Sequence, residues 1–473
     1  MMRLTSRKGP SRIRLAAVAV LALGLTLGLS ACEEALEVTD PDRVNPETLG
    51  TEAALAILVS SALGEFQVAY SGSRNDAFVS MTGAFTDELM GAGTFPTRTR
   101  MDQRDWFAVS EGNTSDIAYT NFHQMRRATL FAQQQLDLLE GTRGDDWALM
   151  RALEAYAYIA YGEFFCGAVP FTELDETGVP IEATLAPIGT SEMFTRAITR
   201  FDEAIAADPS LDMAKIGKAR AQLDMGQASA AASTVAGVPT GYIYAIEHST
   251  NSTRQNNGLE GLFDIGRYTM ADFEGINGLG FLTADDMRTP WILKGSDGDF
   301  GFDGVTPEFR SLKYPKKESS LVLADGIEAR LIEAEAAVST NFATVSLPIL
   351  NDLRADAQAL MEARVSGYAN LANDFGYVVP PALAPLTDPG TAEARLDMVM
   401  SERAFWLYLT GHRQGDLRRL VVNYGRAVNS VYPTGAYPRQ GGGTYGSDVL
   451  AQVDFDEGNN PQYDESMCNT KSF

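Results

Sequence analysis

Apolar residues recur at helical spacing along most of the chain. Leu149, Ala152, Leu153, Tyr156, Ile159 and Ala160 keep the i, i+3, i+4, i+7 rhythm of an amphipathic helix, which Gly162 and Gly167 loosen and Pro170 ends. A second helical stretch precedes it, over about 121–139, and closes at Gly141, so the two predict a hairpin with a short connector. Ala197, Phe201, Ala204 and Pro209 then fall at the second-helix spacings of a tetratricopeptide repeat, where small residues let helices approach and proline ends the pair. Ala219 and Ala231 occupy small positions of a following unit, and Gly217 and Gly226 suit close helix packing. Further helical pairs are expected at 324–338 with 347–363, and at 391–409 with 414–424. No period of about 34 residues runs the whole length, so the chain is not a free solenoid. Residues 65–120 and 240–320 are rich in Gly, Asn, Asp, Thr and aromatics without a sustained helical period, and 425–473 is Gly-, Tyr- and Asn-rich irregular chain. The expectation is a mostly α fold of tetratricopeptide-like hairpins with long irregular insertions, segments that are usually functional or disordered and whose aromatic content here favours order.

The N-terminus has a different pattern, and it carries the only apolar run that raises a membrane question. Arg3, Arg7, Lys8, Arg12 and Arg14 precede residues 15–29, an apolar stretch in which Thr26 is the only polar residue. A membrane-spanning helix needs about 20 such residues. The basic region, short apolar core and small residues beyond it read as a signal peptide over 1–31. Leu29-Ser30-Ala31-Cys32 resembles a bacterial lipobox, in which Cys32 becomes the lipid-bearing N-terminus; the alternative is an ordinary signal peptide with an incidental cysteine. Glu33, Glu34, Asp40-Pro41 and Asn45-Pro46 make 32–50 a polar tether, and 51–473 is expected to be a single domain.

Charge and chemistry narrow the function. The 473 residues hold 38 Lys and Arg against 62 Asp and Glu, a net charge of −24, so the surface lacks the basic footprint of a nucleic-acid binder. Three histidines stand apart, and no HExxH, GxSxG, Walker or dinucleotide-binding motif occurs. Asp297, Asp299, Asp303 and Glu308 sit at EF-hand positions 1, 3, 7 and 12, but Phe302 replaces the glycine of position 6, which favours a solvated acidic loop over calcium. Neither a metal nor a cofactor is expected. Carboxylate pairs such as Asp285/Asp286 and Glu333/Glu335 are common in so acidic a chain and give weak support for a hydrolase. Capture of a small ligand by the insertions would need flat aromatic faces and directional polar groups. Phe95, Arg98, Arg100, Trp106 and Tyr119 in the first insertion, and Tyr268, Arg288 and Trp291 in the second, are the candidates, with core packing the competing role for each aromatic. Trp147 and Trp406 lie on helical patterns and read as core.

The C-terminal third carries the most specific string. Glu402-Arg403 lies on one helix; Gly411, a helix stop, leads into His412-Arg413-Gln414-Gly415-Asp416-Leu417-Arg418-Arg419. Asp416 can meet Arg413 or Arg419 at helical spacing, which suggests an ion network locking two helices rather than catalysis. These residues resemble the C-terminal signature of the SusD/RagB family of outer-membrane nutrient-binding lipoproteins, with Trp406 and Thr410 where that family has glutamates. Arg151 to Tyr156 with Val169-Pro170, Glu328 with Ala334-Glu335-Ala336, Asn351 with Arg354, and Asp286-Met287-Arg288 agree in order. The resemblance implies a helical body of repeat-like hairpins, with a ligand face formed by the irregular insertions, that binds an oligosaccharide, or a peptide, at the cell surface without cleaving it. It also implies delivery to a TonB-dependent SusC-like transporter in the outer membrane, to which the lipid alone anchors the chain. A secreted carbohydrate-active hydrolase and a protein-binding repeat scaffold are the rival readings. Finally, once Cys32 is taken by lipid, Cys166 and Cys468 remain as a pair, either bonded to each other or as a buried thiol and a free one.

Overall fold

The computed structural model describes residues 51–73, 76–105, 114–139, 141, 143–173, 181–294, 298–439 and 442–473. Cys32 with its leader and tether, Trp106 and Asp297 lie outside them. Helices dominate the described chain, and strands are short and paired in twos.

At the centre is the helix Asp145–Phe164, mostly apolar from Trp147 onward and buried there at every position but Leu149 and Arg151. Thr114–Leu139 packs on one side of it and Thr190–Ala207 on the other. The hairpin predicted from periodicity is therefore present, although Gly162 does not loosen it. A Cβ at Gly162 would stand 2.8 Å from the Phe194 ring, so the glycine serves helix contact. Ala197, Phe201 and Ala204 are fully buried on Thr190–Ala207, as the repeat spacing requires. The next helix, Asp212–Asp224, approaches so closely that a Cβ on Gly217 would lie 2.7 Å from Phe201 and 2.8 Å from Tyr156. Gly226 has another purpose: its φ of +72° turns the chain into Ala228–Val235.

Several expected boundaries move. The 324–338 helix begins at Gly326, because Leu321–Asp325 is a strand paired antiparallel with Ile243–Ile246. Asp325 then caps Gly326–Ala337 by accepting from the Glu328 backbone N–H at 2.8 Å. The 347–363 helix breaks at Asp356 into Leu347–Ala355 and Ala357–Arg364. The first insertion is less irregular than expected, holding the end of the helix Glu52–Ser71, the helices Phe78–Phe85 and Pro96–Asp102, and the start of Thr114–Leu139. The stretch Ala54–Ser71, most of which precedes the insertion, is also long and apolar enough to cross a membrane, contrary to the sequence expectation, but it is mostly buried, as a core helix is. Leu89–Gly91 pairs antiparallel with Tyr268–Met270, which ties the two insertions together. Residues Leu55–Phe473 form one compact unit.

The C-terminal string is an interior ion network. Arg419, on Arg413–Val422, bonds both Glu335 oxygens at 2.9 and 3.0 Å, Asp416 at 2.6 Å and Asp224 at 3.2 Å. Arg403 reaches Asp416 at 2.8 Å and Glu335 at 3.2 Å from the neighbouring helix Ala392–Trp406. Burial alone would raise the Asp416 carboxyl, but Arg403 and Arg419 outweigh it and hold it well below the usual range. Arg413 turns away from Asp416 and grips Asp87 at 2.6 and 2.7 Å. Arg418 donates to the Asp224 carbonyl and stacks over Phe194. Gly411, with φ +78°, makes the turn between the two helices. Trp147 and Trp406 are buried.

The irregular tail is fastened to this body. Cys166 and Cys468 form a disulfide across 302 positions, and Cys166 N–H also donates to the Ala451 carbonyl at 2.8 Å.

Candidate ligand-binding face

Three loops from the two insertions meet on one face through backbone hydrogen bonds. Ala92 N–H donates to Arg267 O at 2.9 Å, Phe302 N–H to Gly266 O at 2.8 Å, and Asp303 N–H to Ala92 O at 2.9 Å. Glycines permit the approach. A Cβ at Gly301 would lie 2.8 Å from the Ala92 carbonyl oxygen, and one at Gly93 would lie 3.3 Å from Arg267 Cδ. Each loop carries one member of a stack. The Arg267 guanidinium lies between two phenyl rings, 4.8 Å from the Phe95 centroid and 3.7 Å from that of Phe302. Both rings are open to solvent, 49% exposed for Phe95 and 56% for Phe302. Cation–π contact and the hydrogen-bonded loops hold this platform in place before any ligand arrives.

Charged groups under and beside the platform are mostly matched. Arg98, 4.9 Å from the Phe95 centroid, pairs with Asp76 at 2.5 Å. Arg439 joins Asp303 at 3.1 Å and donates to the Gly93 carbonyl. Lys294 pairs with the buried Glu308 at 3.0 Å. Arg267 differs: its Nε and Nη1 have no hydrogen-bond partner, and no carboxylate among the described residues forms an ion pair with it. Burial and the neighbouring Arg98 both press against its charge, with Asp76 offsetting them in part.

Of the candidates read from the sequence, Phe95 and Arg98 meet at this platform. Arg100 is on the same short helix, exposed, and pairs with Asp105 at 3.3 Å. Trp291 is half-buried, its ring packed edge-on against Phe309 at 5.3 Å. Three others, expected as ligand contacts, are interior groups instead. Tyr268 is fully buried and donates its hydroxyl to Asp76 at 2.6 Å, so it supports the platform from beneath. Tyr119 is buried among Tyr161 and Phe165, with its hydroxyl on Glu457 at 2.8 Å. Arg288 is 2% exposed and saturated by Asp286 and Glu402, each at 2.7 Å. A side chain enclosed in that way has no face left for a sugar. Within the acidic loop, Asp303 accepts from Thr306 and meets Arg439, and Glu308 meets Lys294 through one oxygen while its other has no partner among the described residues.

Beneath the platform, Met90, Thr269, Glu274, Leu282 and Phe309 line a cavity of 110 Å³. That is well below the roughly 300 Å³ of a small-molecule pocket. Asp102 and Glu274 lie buried beside it, with Tyr437 donating to Asp102 and Gly91 N–H to the same oxygen at 2.5 Å. Burial pushes the Asp102 carboxyl up to about 7 and that of Glu274 well above its ordinary value. The geometry thus offers an open, aromatic, cationic surface rather than an enclosed pocket.

The sequence reading missed Arg267 and put Phe302 to a different question, as the residue that spoils a calcium loop. The Phe300-Gly301-Phe302 alternation of rings with a glycine was the available signal.

No protein-family model matches the chain, and no curated protein does so either. Solved structures do. A SusD/RagB family protein of Bacteroides thetaiotaomicron superposes with a TM-score of 0.63 at 14% identity, over 88% of this chain and 96% of its own. A SusD-like carbohydrate binding protein of Bacteroides vulgatus gives 0.55 at 14% identity, over 78% and 83%. A SusD-like protein of Bacteroides thetaiotaomicron gives 0.55 at 14% identity, over 85% and 93%. Likeness at this identity speaks for the fold: the chain has the fold of the SusD/RagB superfamily.

Proposed function

We propose that this chain is a surface lipoprotein that binds an oligosaccharide on the Phe95–Arg267–Phe302 platform and hands it to a TonB-dependent SusC-like transporter. The observation that carries the binding step is the pair of solvent-open rings fixed by three hydrogen-bonded loops. Sugars present apolar C–H faces that stack on such rings, and a platform that is already assembled loses little entropy on binding. The carbohydrate-binding description of one structural neighbour supports the ligand class. The lipobox-like Leu29-Ser30-Ala31-Cys32 string supports attachment to the outer membrane through Cys32. The body acts by capture and not by cleavage. Two features favour this reading: Glu335 is locked in the ion network, and Asp102 and Glu274 lie enclosed.

Calorimetric titration of the purified protein against an oligosaccharide library, with chromatography of each mixture afterwards, tests this. Binding without new products is the expected result, and Phe95→Ala or Phe302→Ala should weaken it by about 0.5–1.5 kcal/mol, the range for one aromatic contact. New, shorter sugars in the mixture would refute the proposal in favour of a hydrolase. Mass spectrometry of the membrane-extracted protein should find acylated Cys32, and co-purification should bring down the transporter.

A further inference from the structure

The platform contains more positive charge than its own carboxylates neutralise. Around it, Arg98 is matched by Asp76, Arg439 by Asp303 and Lys294 by Glu308. Among the described residues, Arg267 alone of these four cations forms no ion pair, and its Nε and Nη1, both shielded from solvent, have no hydrogen-bond partner there. The chain as a whole carries −24, so a cation left uncompensated on this face runs against the general charge. Its position is also costly to maintain. Phenyl rings on both sides strip water from the guanidinium, and unmatched polar groups in partly dry surroundings are destabilising unless something completes them.

We infer that the platform selects a sugar bearing a carboxylate, such as a uronic acid, and that Arg267 is the residue that reads the acid group; this rests on the platform being the sugar site. Guanidinium is the side chain suited to a carboxylate, being planar, permanently charged and weakly hydrated. The rings that hold it are the same rings on which a pyranose would stack, so the acid and the apolar face of one sugar residue are recognised together. Gly93 and Gly301 keep the loops close enough for this, since a side chain at either would press on Arg267 or Ala92. A neutral sugar would use the rings but leave the guanidinium as it is. An isolated anion would use the guanidinium but leave the rings uncovered.

The test uses oligogalacturonate, alginate, hyaluronan and glucuronoxylan oligosaccharides, each beside its carboxyl-reduced counterpart, titrated calorimetrically at low and high salt. At least one acidic member should bind about tenfold or more tighter than its reduced form, and the gap should narrow as salt rises. Arg267→Gln should remove the preference, so that the acidic and reduced forms of the same sugar bind this variant equally, whatever the common affinity. Arg267→Lys, which keeps the charge without the planar stack, should recover part of the preference. Equal affinity for acidic and reduced forms, or a preference that survives Arg267→Gln, overturns the inference while the platform reading stands. Binding that Phe95→Ala and Phe302→Ala both leave untouched overturns the platform reading itself, and the inference with it. Binding of no acidic member overturns the inference.

Discussion

Replacing Arg419 with methionine should be among the most damaging single changes in this protein. Arg419 makes four bonds of 2.6–3.2 Å to three carboxylates, Glu335, Asp416 and Asp224, and all four side chains are 0–1% exposed. Methionine fills much of the same volume, so the change removes charge more than bulk. Arg403 would remain as the cation shared by Asp416 and Glu335. Breaking a buried pair in this way costs about 3–5 kcal/mol, since uncompensated charge stays behind. Arg426 is the control. Its pairs with Glu393 and Asp397, at 2.7 and 2.8 Å, are as short, but those acids are 73% and 61% exposed. Arg426→Met should therefore cost no more than about 1 kcal/mol. The pH dependence gives a second check. In the parent protein Asp416 is held below its unfolded value, so its contribution is full at neutral pH and is lost only as pH falls through that depressed value. Without Arg419 the stranded carboxylates favour a proton, and the penalty should shrink between pH 7 and pH 5. Urea unfolding followed by near-ultraviolet circular dichroism at both pH values measures this. A loss below about 1 kcal/mol at pH 7, a loss equal to that of Arg426→Met, or a penalty flat with pH would refute the reasoning.

Other perturbations follow from the same geometry. Gly217→Ala should destabilise by about 1–3 kcal/mol through overpacking against Phe201 and Tyr156, seen as a lowered melting temperature with the fold retained. Replacing Cys166 and Cys468 by serine should cost up to about 5 kcal/mol by the loop-closure model and free the tail to proteolysis; two free thiols in the denatured, unreduced parent protein would instead show that no bond forms. Asp102, pushed up to about 7 by burial, stabilises fully below pH 4 and loses that contribution as pH rises through 7. Asp102→Asn should flatten part of the decline in stability between pH 5 and 8, and an unchanged slope would remove Asp102 as its source.

The parts of this structure that were legible in the sequence are those built from near neighbours. Ala197, Phe201 and Ala204 announce a helix face because four-residue spacing sets it, and consecutive helices then bury that face locally. The strands were invisible for the opposite reason. Leu89–Gly91 and Tyr268–Met270 are three residues each, too short to show alternation, and their pairing joins positions far apart in the chain. The ion network was half legible. Asp416 and Arg419 lie one turn apart on one helix, but Glu335, Asp224 and Asp87 reach it from distant elements, so spacing alone could not choose between Arg413 and Arg419.

The same limit bears on the two arginines of the second insertion, Arg288, which the sequence suggested as a ligand contact, and Arg267, which the proposed platform uses. Arg288 and Arg267 each stand near aromatic residues in the second insertion, and local sequence does not separate them. What separates them is whether acids arrive from elsewhere. Asp286 comes from two residues away and Glu402 from the helix Ala392–Trp406, and together they neutralise Arg288 and close it into the interior. Among the described residues no acid forms an ion pair with Arg267, and Asp76 acts on it only from a distance; Phe95 and Phe302 arrive instead, from two other loops. In a chain with a large excess of acid, most cations meet a carboxylate on folding, as Arg98, Arg403, Arg413 and Arg419 do. Arg418, stacked over Phe194 and bonded to the Asp224 carbonyl, also forms no ion pair among the described residues, yet it is buried. What distinguishes Arg267 is the pair of solvent-open rings beside it, and the carboxylate proposed above would reach it there from outside the chain.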